Sequence, residues 1–161
     1  RTLRTVIRPS RSESFCSVLS GTWTSDDLPP GGGSVIPTTS NDLPPTLTRI
    51  AEGEFSRGFT PHGKPGPSAP HGARQGTNDY TGWFAGDPAM AGNYFGYDGP
   101  FPPFNDSLVH HYVFTLYALG VARLPLQGAF NGAQARAALA GHVLDAATYS
   151  GTYTLNKRLA R

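Results

Sequence analysis

Gly96-Tyr-Asp-Gly-Pro-Phe-Pro-Pro-Phe-Asn-Asp-Ser-Leu-Val-His-His-Tyr-Val-Phe-Thr-Leu-Tyr-Ala-Leu119 is a stiff loop that runs directly into a strand. Pro100, Pro102 and Pro103 have a fixed φ and no N–H, so the loop is rigid and turns some of its carbonyls outward. From His110 the pattern alternates, with Val113, Thr115 and Tyr117 on one face and Phe114, Leu116 and Ala118 on the other. Both faces are largely apolar, which predicts a central strand rather than an exposed edge. His110-His111-Tyr112 falls where loop becomes sheet, a place where binding groups rest on rigid support. Imidazole and phenol groups beside backbone amides suit an anion such as phosphate.

Composition sets the frame around this stretch. A chain of 161 residues is long enough for one domain with a real core and short for two. Its 38% apolar content, with 20 Gly and 15 Pro, predicts a loop-rich, mostly β protein. A formal net charge of +2, with basic residues scattered along the chain, argues against nucleic acid as a partner. No segment approaches the roughly 20 apolar residues that a membrane-spanning helix needs. The single Cys16 cannot form an internal disulfide, and no apolar run follows Arg1, Arg4, Arg8 and Arg11 as a secretory signal requires. The expected location is cytoplasmic.

The composition shifts near residue 45. Residues 1–43 are rich in Ser, Thr, Arg, Pro and Gly and bury little apolar surface. They read as a disordered or aberrant segment, with 44–161 as the domain. Residues 60–82 form a long Pro- and Gly-rich loop, expected to be functional or mobile, with Tyr80-Thr-Gly-Trp-Phe84 packing it down. Asn131 is a plausible N-cap for a helix over 132–147, with Ala135, Leu139 and Val143 at helical spacing. Gly151 would end that helix, and Thr152-Tyr-Thr-Leu155 would return as a closing strand.

Taken in series, these pieces resemble the phosphatidylethanolamine-binding protein family, and more closely its bacterial Raf-kinase-inhibitor-like branch. The likeness is carried by Gly96–Pro103, His110–Leu119, Gly141-His-Val-Leu144, Gly151-Thr-Tyr153, Asn78-Asp-Tyr-Thr-Gly-Trp83 and the segment around Ile50–Ser56, over about residues 44–161. The resemblance implies an antiparallel β-sandwich with peripheral helices and a small anion pocket at one end. Carried over by position, Gly99, Pro100, Phe101, Pro102 and Pro103 form the pocket wall and a backbone amide, while His110 and Tyr112 match the pocket histidine and tyrosine. His111 stands where the family commonly has arginine. The family's Asp-Pro-Asp turn and later His-Trp pair, which also contribute to the pocket, do not occur in this chain. The abrupt change near Pro44-Pro45 fits a shifted reading frame or an aberrant gene start for the segment before it.

The function expected from these residues is non-catalytic binding of a small anionic or phosphorylated ligand, phosphate or a phospholipid head group. No cofactor is expected. The histidines at 62, 71, 110 and 111 match no metal-ligand spacing, and Gly31-Gly32-Gly33 lacks the lysine of a phosphate-binding loop. The resemblance also implies a kinase-inhibitor-like regulator that meets a protein partner through the 60–82 loop, and a homodimer. A hydrolase ranks lower, because no serine sits in a nucleophile elbow and no nucleophile–base–orienter set is visible. A truncated, non-functional member of the family completes the alternatives.

Overall fold

The computed structural model of the chain describes residues 16–24, 39–44, 46–55, 60–100, 102, 104–105 and 107–159. Five strands form one antiparallel sheet: β1 (Cys16–Thr24), β2 (Thr39–Leu43), β3 (Arg74–Gln75), β4 (His110–Leu119) and β5 (Val143–Tyr153), in the spatial order β3-β2-β1-β4-β5. Two short helices accompany it, α1 (Tyr80–Trp83) and α2 (Gly132–Ala138). A single 3-10 turn lies at Pro70–Gly72. The fold is mostly β, as the composition predicts. Among the described residues the strands make one sheet, where the resemblance implies two packed layers. β1 and β2 both fall inside the 1–43 segment; the remainder of that segment, apart from 16–24 and 39–43, lies outside the described residues.

β4 occupies the interior position that its alternation predicts. It pairs with β1 from Cys16 opposite Leu119 to Thr24 opposite His111, and with β5 from Tyr153 opposite His110 to Val143 opposite Leu119. β-branched and aromatic residues along β4 fit a pleated surface flanked on both sides. At its C-terminal end, fully buried Leu119 packs with Leu124 and Leu139, and Tyr117, Val121, Leu126 and Ala138 close around them.

The helix expected over 132–147 is shorter than the sequence suggests. Asn131 caps it as predicted: its side chain accepts from Gln134 N at 2.9 Å, and Gln134 Oε1 accepts from Asn131 N at 3.0 Å. α2 stops at Ala138, however, and Gly141, at φ 75°, turns the chain back. Residues 143–147 belong to β5, with Ala147 opposite Leu116 and Ala146 opposite Tyr117. The alanine run carries good helix propensity, but a ladder of partners on β4 outweighs it. Gly151 therefore lies within a strand and does not end a helix, and the closing strand is Val143–Tyr153, not 152–155. A β-bulge sets Leu144 between the partners of Ala118 and Leu119.

The far side of the sheet is clipped by charge. Asp42 on β2, 1% exposed, accepts from Arg74 Nε at 3.0 Å and from Arg74 Nη2 at 2.6 Å. The same guanidinium donates to the carbonyls of Leu124 and Leu126 and lies 5.9 Å from the centroid of Phe130. One arginine thus fastens the short strand β3 to the 121–130 connection. Removing one member of a buried pair leaves the other charged and desolvated, which costs about 3–5 kcal/mol. Arg123 Nη1 stands 3.9 Å from Asp42 Oδ2 and keeps part of the pairing, so Arg74→Met is expected to lower stability by less than that in urea unfolding, and adding Asp42→Leu should return a good part of the loss.

Candidate functional site

The strand register assigns the predicted site residues to faces. His110 begins β4 and is 3% exposed; Tyr112 lies two residues on, half-buried, on the same face. His111 points to the opposite face. Phe114 continues the His110–Tyr112 face, and the ring of Tyr97 stands edge-on against it at 5.7 Å and 87°. Tyr97 is the second residue of the proline-loop stretch, so this contact lays the entry of the loop on the strand face that carries the histidine and tyrosine. Within the loop, Gly99 adopts φ 89°, Pro100 is exposed and Pro102 is buried. Phe101 and Pro103 lie outside the described residues.

The loop entry is held by a polar network that the motif reading did not single out. Asp98 accepts from Lys64 Nζ at 2.6 Å and from Asn78 Nδ2 at 2.7 Å. Lys64 also donates to Tyr97 O at 2.9 Å, and Asn78 donates to Gly96 O at 2.8 Å. Through its own carbonyl oxygen, Asn78 accepts from Tyr80 N at 3.1 Å. Three consecutive loop residues, 96–98, are therefore tied to two side chains from elsewhere. Gly96 has φ 75°, a left-handed position that favours glycine, and a Cβ there would also press on the amide end of Gln75, 2.3 Å from Nε2. Asn78 and Tyr97 sit inside the motifs quoted for the family, yet nothing local marks them as a unit with Lys64, which comes from a Pro/Gly stretch without a pattern.

α1 supplies the third side. Tyr80 packs against Trp83, Phe84 and Tyr94 at centroid distances of 5.3, 5.5 and 6.0 Å. The aromatic group expected to pack the long loop down gathers instead around Tyr94, and it is the backbone of Tyr94 that meets the loop, at Lys64 and Asn78. The loop is well tied rather than free: Ala73, Gln75, Gly76 and Asn78 are all buried within it.

The phenols form an electrostatic group. Burial pushes the Tyr112 hydroxyl up to about 12, helped by Tyr80 and Tyr153. Tyr97 is raised further, mainly by burial and then by Tyr112 and Tyr80. Tyr80 is raised by burial and by the charge of Asp98. All three hydroxyls remain protonated at neutral pH, and so remain able to donate hydrogen bonds. Among the described residues the arrangement offers hydrogen-bond donors. Lys64, the ammonium beside the loop entry, is paired with Asp98.

A consequence follows for alkaline solution. The folded state holds these phenol protons to higher pH than the unfolded chain does. Stability is therefore fully present below about pH 10 and falls as pH rises through the folded values. Phenolate absorbance at high pH should show Tyr97 and Tyr112 ionising only with unfolding, and Tyr97→Phe should flatten the alkaline loss of stability.

Comparison with known proteins agrees with this geometry. The model of the phosphatidylethanolamine-binding protein family matches residues 24–154, a span that begins inside the segment before residue 44. Among solved structures, the chain is similar to the phosphatidylethanolamine-binding protein homologue CT736 of Chlamydia trachomatis. That match has 26% identity and a TM-score of 0.57, covering 89% of this chain and 74% of that one. It shares its fold with Escherichia coli YbcL, described as a member of the mammalian family, at 23% identity and a TM-score of 0.57, covering 91% and 74% of the two chains. No curated protein matches the chain. A match over residues 24–154, joined to the loop-and-strand arrangement at His110 and Tyr112, places this chain in the phosphatidylethanolamine-binding protein family.

Proposed function

We propose that the chain is a non-catalytic binder of a small anionic or phosphorylated ligand, phosphate or a phospholipid head group. The ligand is held at His110 and Tyr112 against the 99–103 loop. The observation that carries this reading is the shared face: a buried imidazole, a protonated phenol and the proline-loop entry meet on one side of β4. Groups of this kind bind oxygen-rich anions by hydrogen bonding in a partly desolvated setting, where each bond gains strength. Membership of the phosphatidylethanolamine-binding protein family supports a ligand-binding role.

Thermal unfolding with phosphoethanolamine tests it. A ligand present at about 100 times its Kd stabilises by about 2.7 kcal/mol, enough to raise Tm by several degrees. His110→Ala should abolish that shift, while His111→Ala, on the opposite face, should keep it. A cooperative transition that phosphoethanolamine leaves unmoved in the unaltered chain refutes the assignment.

We further propose self-association through β5. Among the described residues β5 is a sheet edge, with Val143, Leu144, Tyr149 and Tyr153 exposed and Asp145 as its one charge. Long edges with so little charge invite another strand. An antiparallel two-fold centred on Thr148 sets Val143 opposite Tyr153 of a second copy and Asp145 opposite Gly151, so no like charges meet. Light scattering across a dilution series should show dimer giving way to monomer, and Tyr149→Lys should favour the monomer throughout.

A further inference from the structure

Asp98 is a carboxylate at the edge of a site read as anion-binding, where its charge opposes the ligand. It lies between Tyr97, which packs on Phe114, and Gly99, which opens the pocket loop. Its side chain is 6% exposed, so water screens it little. The carboxylate therefore sits one residue before the loop that the ligand is proposed to touch, on a stretch laid against the His110–Tyr112–Phe114 face.

Lys64 answers that charge. Its ammonium, 13% exposed, stands 2.6 Å from Asp98 Oδ1, and its remaining bond goes to Tyr97 O. Asn78 satisfies the other carboxylate oxygen, Oδ2, without adding charge. The carboxylate fixes the loop through neutral and cationic donors while its net charge is cancelled at short range. A neutral residue at position 64 could fill the space, but it could not cancel that charge.

We infer that Lys64 is the counter-ion that permits anion binding at the His110–Tyr112 site: it neutralises Asp98, so that a structural carboxylate of the loop does not repel the ligand. This rests on the anion-binding reading above and adds a specificity-determining residue to it. Lys64 acts through Asp98 and does not touch the ligand.

The test is calorimetric titration with inorganic phosphate at constant pH, on the unaltered chain and four variants. Lys64→Met is expected to weaken binding by about tenfold or more, since it unmasks a buried charge beside the first residue of the pocket loop. Lys64→Arg should bind nearly as the unaltered chain does. Adding Asp98→Asn to Lys64→Met removes the unmasked charge and should restore affinity, which a purely structural role for Lys64 would not allow. Asp98→Asn alone leaves an uncancelled ammonium and should tighten binding, and this variant serves if Lys64→Met fails to fold. The proposal is overturned if Lys64→Met binds phosphate as well as the unaltered chain, if the double variant stays as weak as Lys64→Met, or if Asp98→Asn alone fails to tighten binding. If the unaltered chain binds no phosphate, the site assignment itself falls and takes this inference with it. That result is distinct from one in which the unaltered chain binds and the variants do not separate.

Discussion

The double pairing of β4 is the constraint on which the rest of the molecule depends. A strand hydrogen-bonded on both edges cannot slip by one residue without moving every side chain to the wrong face. β1 and β5 hold it across its full length. One face is then committed to packing at Leu119, where Leu124 and Leu139 close over it. The other carries His110, Tyr112 and Phe114 in a row, and Phe114 receives Tyr97 from the loop. The site is precise because the strand beneath it has no freedom of register.

Two buried carboxylates do the remaining work of fastening irregular chain to this sheet. Asp42 holds Arg74, and Arg74 holds the carbonyls of Leu124 and Leu126. Asp98 holds Lys64 and Asn78, and these hold the carbonyls of Tyr97 and Gly96. The same device appears twice: a desolvated acid is satisfied by donors whose spare N–H groups reach backbone oxygens that lack strand partners. Burying the charges is costly in itself. The cost is offset in part because each pair also supplies donors to loop carbonyls, among them Leu126, Tyr97 and Gly96. In a chain so rich in Gly and Pro, such clips replace the regular ladders that the composition does not support.

Legibility in the sequence tracks how local each signal is. The alternation from His110 to Leu119 identifies β4 and its interior position, because a period of two over ten residues has few competing readings. The Asn131 cap is equally plain, since Asn131 and Gln134 satisfy each other across one turn. The end of α2 is not. Ala135 to Ala147 reads as helix on propensity, and only the pairing of Ala146 and Ala147 with Tyr117 and Leu116 explains why it becomes strand. Gly141 was the local clue, a left-handed position just past Leu139. At the site, His110, Tyr112 and the prolines stand out as a motif, while the Lys64–Asp98 pair, 34 residues apart, belongs to tertiary structure alone.

The residues absent from the chain bear on the chemistry of those present. Without the family's Asp-Pro-Asp turn and His-Trp pair, the described site has fewer acids and fewer imidazoles than the resemblance implies. Asp98 is the acid that remains beside it, and it is paired. Tyr80, Tyr97 and Tyr112, all held protonated by burial, supply donors without charge. Under the anion-binding reading proposed above, a site built mostly from neutral donors would stabilise its ligand through oriented dipoles rather than a fixed countercharge, and so would favour ligands whose charge is spread over several oxygens. It also depends on geometry more than a lysine- or arginine-lined pocket does, because a neutral donor displaced by an ångström loses most of its bond, whereas a cation keeps much of its field. The buried hydrogen bonding around residues 96–98 supplies the fixed geometry that such a site would need, next to a loop already stiffened by proline.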